Sequence, residues 1–284
     1  MTNPRNATTT SKGRTYRWRD ESFPSVTTII GGGVPKPALV GWAAKRVAET
    51  AVAKRRIWEA MDQPAEMVDW LKRAPYRERD GAAVQGSAIH DWAEKRVLGM
   101  PVTVEELPAE QQPWAISFLQ FTHEMEPTWE MSEASVYNRT DGYAGTLDAL
   151  LRLSDRAVQQ IRDSGGPDLS GLGLVDYKTN KSGIFPETAL QLAAYRHAEF
   201  VGLPDGTETP MPHVDWCAAL WITDTGYELV PVNAGHLAFE YFLAARMVRD
   251  FCDDVGRGLL RPAATLPHPA GRPAAATNIH ALTD

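Results

Sequence analysis

Cysteine is nearly absent, with Cys217 and Cys252 the only two in 284 residues. That count excludes a disulfide scaffold and falls short of the four thiolates that hold an iron–sulfur cluster. Long apolar runs are missing too. None approaches the roughly 20 residues of a membrane span, and residues 1–12 hold no apolar signal core, so the expected location is the cytoplasm. Net positive charge is also lacking. At −7 the chain is not suited to coating nucleic acid indiscriminately. No GxxxxGK[ST] pattern accompanies Gly31-Gly-Gly-Val-Pro, so that run reads as a flexible turn and ATP hydrolysis is not expected. There is no internal repeat.

The composition is that of an ordinary globular protein, 43% hydrophobic and 23% charged. Its length suits one elaborated domain or two small ones. Charge is uneven, however. Residues 1–60 hold eleven Lys or Arg against four acids, a net +7 that leaves −14 for the rest. Two readings stand: a basic region that grips a polyanion, or a solvated helix face formed by Lys45, Arg46, Lys54, Arg55 and Arg56.

Residues 1–13 are polar and expected to be disordered, Tyr16-Arg-Trp-Arg starts a strand, and Ser25 after Pro24 opens a short apolar helix. Helices are expected over about 37–60, 65–73, 82–98 and 108–126. In the last, Trp114, Phe118 and Phe121 read more readily as core than as a base-stacking platform. A strand at 130–139 and the Thr140-Asp-Gly-Tyr turn lead into a second strand. Residues 154–170 read as a surface insertion, 213–223 and 228–232 as strands, and 237–256 as a closing helix. The Pro- and Ala-rich residues 261–284 read as a disordered tail.

The chemistry concentrates between Tyr143 and Tyr195. Leu147, Ala149 and Leu151 alternate as in a strand that carries Asp148, and Gly173-Leu-Val-Asp-Tyr-Lys is a second strand carrying Asp176 and Lys178. Residues 176 and 178 share a strand face, which brings an acid and a base together. Two aspartates in apolar strands are tolerable when they share a cation or pair with Lys or Arg. A divalent ion with hard oxygen ligands, Mg²⁺ or Mn²⁺, meets that need, and the adjacent lysine points to phosphodiester hydrolysis.

Gly145-Thr-Leu-Asp148, Asp176-Tyr-Lys178 and Gln191-Leu-Ala-Ala-Tyr195, in that order, resemble the PD-(D/E)xK nuclease superfamily, and within it the RecB-like exonuclease branch. Gly86-Ser-Ala-Ile-His90 fits the branch's metal-ligating histidine on an earlier helix. The likeness covers about residues 80–200 and departs from the cluster-bearing CRISPR-associated members in its cysteine count. It implies two Mg²⁺ or Mn²⁺ ions held by His90, Asp148, Asp176 and the backbone carbonyl of Tyr177, with Lys178 orienting the attacking water. Gln191 and Tyr195 would contact DNA or support the lysine, and Glu133 is a further acid that some members use. For His90 a hydrogen-bonded core histidine, and for Gln191 and Tyr195 an ordinary amphipathic helix, are the plainer alternatives.

The expected fold is α/β: a restriction-endonuclease-like core with a central mixed sheet flanked by helices over residues 81–260, preceded by a helical basic region at 14–80. The expected function is a metal-dependent DNA nuclease, an exonuclease acting on DNA ends in recombination or end processing; the resemblance extends to phage-encoded exonucleases, for which the expected location is host cytoplasm. The resemblance names as partners DNA with free ends, a recombination or single-strand annealing protein, and further copies of the chain. The alternatives are a catalytically silent nuclease-fold protein that binds or assembles on DNA, and an unrelated metal-dependent nucleotide hydrolase.

Overall fold

In the computed structural model, which describes residues 6–261, a sheet begins at Ala7 within the stretch 1–13 expected to be disordered, of which residues 1–5 lie outside the described residues. Strands β1 (Ala7–Thr10), β2 (Gly13–Trp18) and β3 (Glu21–Pro24) pair antiparallel. Threonines and the alternating Tyr16 and Trp18 suit extended backbone, and Gly13 at φ 108° accommodates the tight turn. Ser25 then caps α1 (Val26–Gly33), accepting from Thr28 N at 3.0 Å. Gly31–Gly33 are therefore the last turn of a helix and not the flexible turn expected. A Cβ on Gly33 would collide with the backbone of Ala245, so glycine sets how closely α1 approaches the chain there.

The helices α2 (Pro37–Ala53), α3 (Arg55–Trp58), α4 (Pro64–Lys72) and α5 (Ala74–Val97) follow. The helix expected over 37–60 is thus broken at Lys54, and α5 runs unbroken through the boundary expected near residue 80. The region 14–80 is accordingly part sheet and part helix. Several cations of α2 and α3 are spent within this region: Lys45 and Arg46 on Glu49, Arg46 also on Glu78, and Arg55 on Glu59. For these residues the solvated helix face describes the basic stretch.

After α6 (Gln112–Met125) come β4 (Thr128–Asn138), β5 (Tyr143–Arg152), α7 (Asp155–Asp163), β6 (Gly173–Lys178), α8 (Glu187–Arg196), β7 (Phe200–Gly202), β8 (Glu208–Pro210), β9 (Trp216–Ile222), β10 (Tyr227–Pro231) and α9 (His236–Asp250). The presumed insertion at 154–170 contains α7, capped by Ser154 and buried through Ala157 and Val158. The short strands β7 and β8 had no sequence signal. A single sheet orders these strands β10-β9-β6-β5-β4-β7-β8, with β6 and β9 parallel and the other pairs antiparallel. This is the mixed sheet flanked by helices, consistent with a restriction-endonuclease-like core. One face packs under α1, α8 and α9 through Ile29, Leu192 and Phe242, the other under α5 and α6 through Ile89, Trp92 and Phe118. Compact structure divides at Arg249, and Phe251–Val255 and Gly256–Gly258 are short helical pieces of a second unit. Residues 262–284 of the expected tail lie outside the described residues. Among the described residues no helix is long and apolar enough to cross a membrane.

The β1–β3 sheet is tied to the β7–β8 edge by Arg139, which donates to Glu21 at 2.7 Å and to both oxygens of Glu208 at 2.9 and 2.7 Å. Trp18 Nε1 donates to the same carboxylate at 2.8 Å. The Arg139 hydrogen bonds, then that of Trp18, hold the Glu208 carboxyl down at about 2. A depressed carboxylate contributes stability that is present above its unfolded value and lost as pH falls to the folded one. Amide exchange in residues 7–24 should therefore accelerate as pH falls from about 4.5 toward 2, after correction for the intrinsic rate. Glu208→Gln should remove that response; an unchanged acid profile in the variant would refute the tie.

Candidate metal centre

Strand pairing explains how the acids meet. The β4–β5 ladder pairs Ser132 with Ala149 and Ala134 with Leu147 but skips Glu133 and Asp148 between them. Glu133 is in the left-handed region at φ 48°, an uncommon and costly state for a glutamate in a strand. The pleat changes phase there. Leu147 packs on the α8 side of the sheet while Ala149 and Leu151 pack on the α5 side, so the three leucine and alanine positions expected on one face are divided between two. Both acidic side chains are turned out of the ladder at the same level.

A second break lies next to it. β5 and β6 pair only as far as Ala149 with Val175. Beyond that point the strands separate and the Tyr177 N–H, freed from the ladder, donates to Asp148 Oδ2 at 2.6 Å. In an extended strand the N–H and C=O of one residue face the same side, which directs the Tyr177 peptide edge toward Asp148.

His90 reaches this opening from α5, whose Ile89, Trp92 and Ala93 are buried against the sheet. Gly86, one turn earlier, leaves room for Thr179; a Cβ there would stand 3.1 Å from Thr179 Oγ1. Nδ1 of His90 lies 3.7 Å from Asp148 Oδ1 and 3.8 Å from Glu133 Oε1. One ligand atom from each of His90, Glu133 and Asp148 falls within 4.8 Å of the others. Burial alone would lower the His90 pKa, but Asp148 first and then Glu133 outweigh it and hold the imidazole toward its charged form. Burial raises the Asp148 carboxyl well above the usual carboxylate range, against the pull of His90. A half-buried nitrogen and two oxygens at this spacing form a donor set for a divalent cation.

Asp176, Lys178 and Gln191 form an adjoining group on the α8 side. Asp176 is 2% exposed. Its Oδ1 accepts from Gln191 Nε2 at 2.6 Å, and Lys178 Nζ donates to Gln191 Oε1 at 3.2 Å. Its Oδ2 is paired with Lys178 Nζ at 2.5 Å. Tyr195 Oη stands 3.5 Å from Gln191 Nε2. The acid and lysine predicted to share a face do so, and Gln191 joins them as a bridge. The expected first-rank ligand Asp176 is thus held by Lys178 and Gln191, whereas Glu133, expected in second place, sits with His90 and Asp148.

Gly145 accounts for the junction of strand and helix. A Cβ on it would overlap the ring of Tyr195, which is 3% exposed and cannot retreat. Gly145→Ala should destabilise the fold by about 1–3 kcal/mol, the range for overpacking a filled core, and should displace the Tyr195–Gln191–Lys178 chain. A melt and the response of its midpoint to Mn²⁺ on the same preparation test this. Native values for both would show that the glycine is dispensable.

His90, Glu133, Asp148, Gln191 and Tyr195 border a pocket of about 270 Å³, which also takes in Arg14, Tyr16, Ser25 and Thr146. Tyr16 Oη and Thr146 Oγ1 are 2.9 Å apart, joining β2 to the rim of the site. A strand starting at Tyr16 was expected from the sequence, but not which distant strand it would meet. Neither a family model nor a curated protein matches the chain.

Proposed function

We propose that the chain is a divalent-metal-dependent DNA nuclease that hydrolyses phosphodiester bonds near free ends. The observation that carries this reading is the convergence of His90, Glu133 and Asp148 beside the Asp176–Lys178 pair, where β5 and β6 separate. Such a set serves a substrate that gains negative charge as it reacts. Mg²⁺ or Mn²⁺ held by His90, Glu133 and Asp148, with Asp176 Oδ2 and the Tyr177 carbonyl at hand, would neutralise phosphate oxygens and acidify a water. Lys178 orients that water and meets the developing charge, while Asp176 and Gln191 keep the ammonium group in place. Tyr195 limits the movement of Gln191. The cover that β2 puts over the pocket favours a strand end over an unbroken duplex.

The test is degradation of end-labelled linear and closed circular double-stranded DNA with Mg²⁺ or Mn²⁺. The expected result is metal-dependent loss of the linear form alone, with the label reporting polarity. Equal cleavage of circles would make the enzyme an endonuclease. A folded protein that binds DNA and leaves every form intact would overturn the catalytic reading.

A further inference from the structure

The pocket wall holds one cation that the chemistry above does not use. Arg14 borders the cavity together with His90, Asp91, Glu133 and Asp148. Its backbone is fixed at three points on the cap of α1: its N–H donates to Thr28 Oγ1 at 2.9 Å, and its carbonyl accepts from Ser25 N at 2.9 Å and from Thr28 Oγ1 at 3.3 Å. Gly13 before it, at φ 108°, has no space for a Cβ beside Thr28, so the turn admits little other than glycine. The side chain is treated differently. It is half-buried and meets the Tyr16 hydroxyl, and among the described residues no carboxylate forms an ion pair with it. Lys36, Lys45, Arg46 and Arg55 of the same basic region are all paired with glutamates.

A guanidinium on a fixed backbone that borders acids without pairing to them is suited to an anion arriving from outside. Next to a metal centre in an acidic pocket, that anion also has to be drawn past Asp91, Glu133 and Asp148. A cleft of about 810 Å³ shares Asp91 and Glu133 with the pocket and is bordered by Arg17 of β2 and by Arg19, which pairs with Glu208 at 3.2 Å, as well as by Glu94 and Glu130, so the next cation along β2 without an ion pair among the described residues is Arg17. We propose that Arg14 holds a phosphate oxygen of the substrate strand at the metal centre, and that β2 is the track along which the strand's phosphates lie. The inference rests on the nuclease reading and adds to it a substrate-binding residue and a path.

The experiment is fluorescence anisotropy of a short end-labelled single strand, with EDTA and with Ca²⁺, over a series of salt concentrations. Native protein is compared with Arg14→Gln, Arg14→Lys and, as a surface control, Arg55→Gln. Loss of one phosphate contact should weaken binding about tenfold and make the slope of log affinity against log salt shallower by about 0.7. Arg14→Lys should keep the slope, because the charge remains, and Arg55→Gln should match the native protein. A methylphosphonate that removes charge from the linkage at the cleavage position should weaken native binding but leave Arg14→Gln no weaker than before. In Mg²⁺, Arg14→Gln should lose about 100-fold in kcat/KM, the scale of one lost charge-stabilising donor. Native protein that cleaves, together with an Arg14→Gln variant of native slope and native kcat/KM, overturns this inference alone. Native protein that neither binds nor cleaves overturns the nuclease reading and this inference with it. Should the glutamine variant fail to fold, Arg14→Met, which keeps the length of the side chain without its charge, carries the salt-slope comparison.

Discussion

Asp148→Asn should reduce cleavage by about 10³-fold while leaving the metal-free protein as heat-stable as the native chain or more so. The two effects share one cause. Asp148 is 13% exposed and has Glu133 and Asp176 as acidic neighbours, so in the absence of a cation its charge is held against both burial and repulsion. Asparagine keeps an oxygen to accept the Tyr177 N–H and removes the charge. A gain of about 1 kcal/mol would appear as roughly 2–4 °C in Tm for a chain of this size. His90 loses one of its anionic partners but retains Glu133 at 3.8 Å, which limits the offset. Activity falls because the variant lacks the carboxylate that belongs both to the histidine–glutamate set and to the Tyr177 edge. Melting with and without Mn²⁺ separates the parts: the ion should raise the native Tm by mass action and leave the variant's nearly unmoved. A variant that melts well below native, or that still responds fully to Mn²⁺, would show that Asp148 is a structural acid and not a ligand.

Asp148 also shows where sequence reading reached its limit. The identities of Asp148, Asp176, Lys178 and Gln191 were legible because strand period 2 and helix spacing are local properties. Their grouping was only partly legible, since it depends on where ladders fail. Nothing local in Glu130 to Arg139 announces that Glu133 takes φ 48°, or that the pairing omits it together with Asp148. That break promotes Glu133 from a solvent-facing candidate to a partner of His90. The main-sheet core was readable from Trp114, Phe118 and Phe121, all of them buried. The N-terminal sheet was not, because threonine-rich polar segments gain their order from partners such as Tyr137, which meets Trp18 at a tilt and Phe23 edge-on, and Phe200, tilted against Trp18, all more than a hundred residues away. The Gly31–Gly33 run misled for a related reason: its glycines serve close packing, which cannot be distinguished from turn formation without the neighbour in view.

Lys178→Met should produce the largest loss of stability among single changes at the site, and a second substitution should recover most of it without recovering activity. Lys178 stands over an aspartate whose side chain is 3% exposed, 2.5 Å from its Oδ2. Removing one member of such a pair leaves an uncompensated buried charge, which costs about 3–5 kcal/mol. Gln191 cannot make up the difference. Its amide already donates to Asp176 Oδ1 at 2.6 Å, and the loss of Lys178 frees its own oxygen from the 3.2 Å contact it accepts. Asp176→Asn in the same chain removes the buried charge, so the double variant should melt within about 1–2 kcal/mol of native, since replacing a whole buried pair is often close to neutral. Cleavage should stay at least about 10²-fold down in both variants, because neither supplies an ammonium group to orient water or to meet charge at phosphorus. Urea melts of native, both single variants and the double variant close the cycle, with the cleavage rate measured on each. Recovery of stability with activity still well below that of Asp176→Asn alone would mark Lys178 as a residue that acts on the substrate. Recovery of both together would reduce it to a counter-ion for Asp176, and the nuclease proposal would then have no group to replace it.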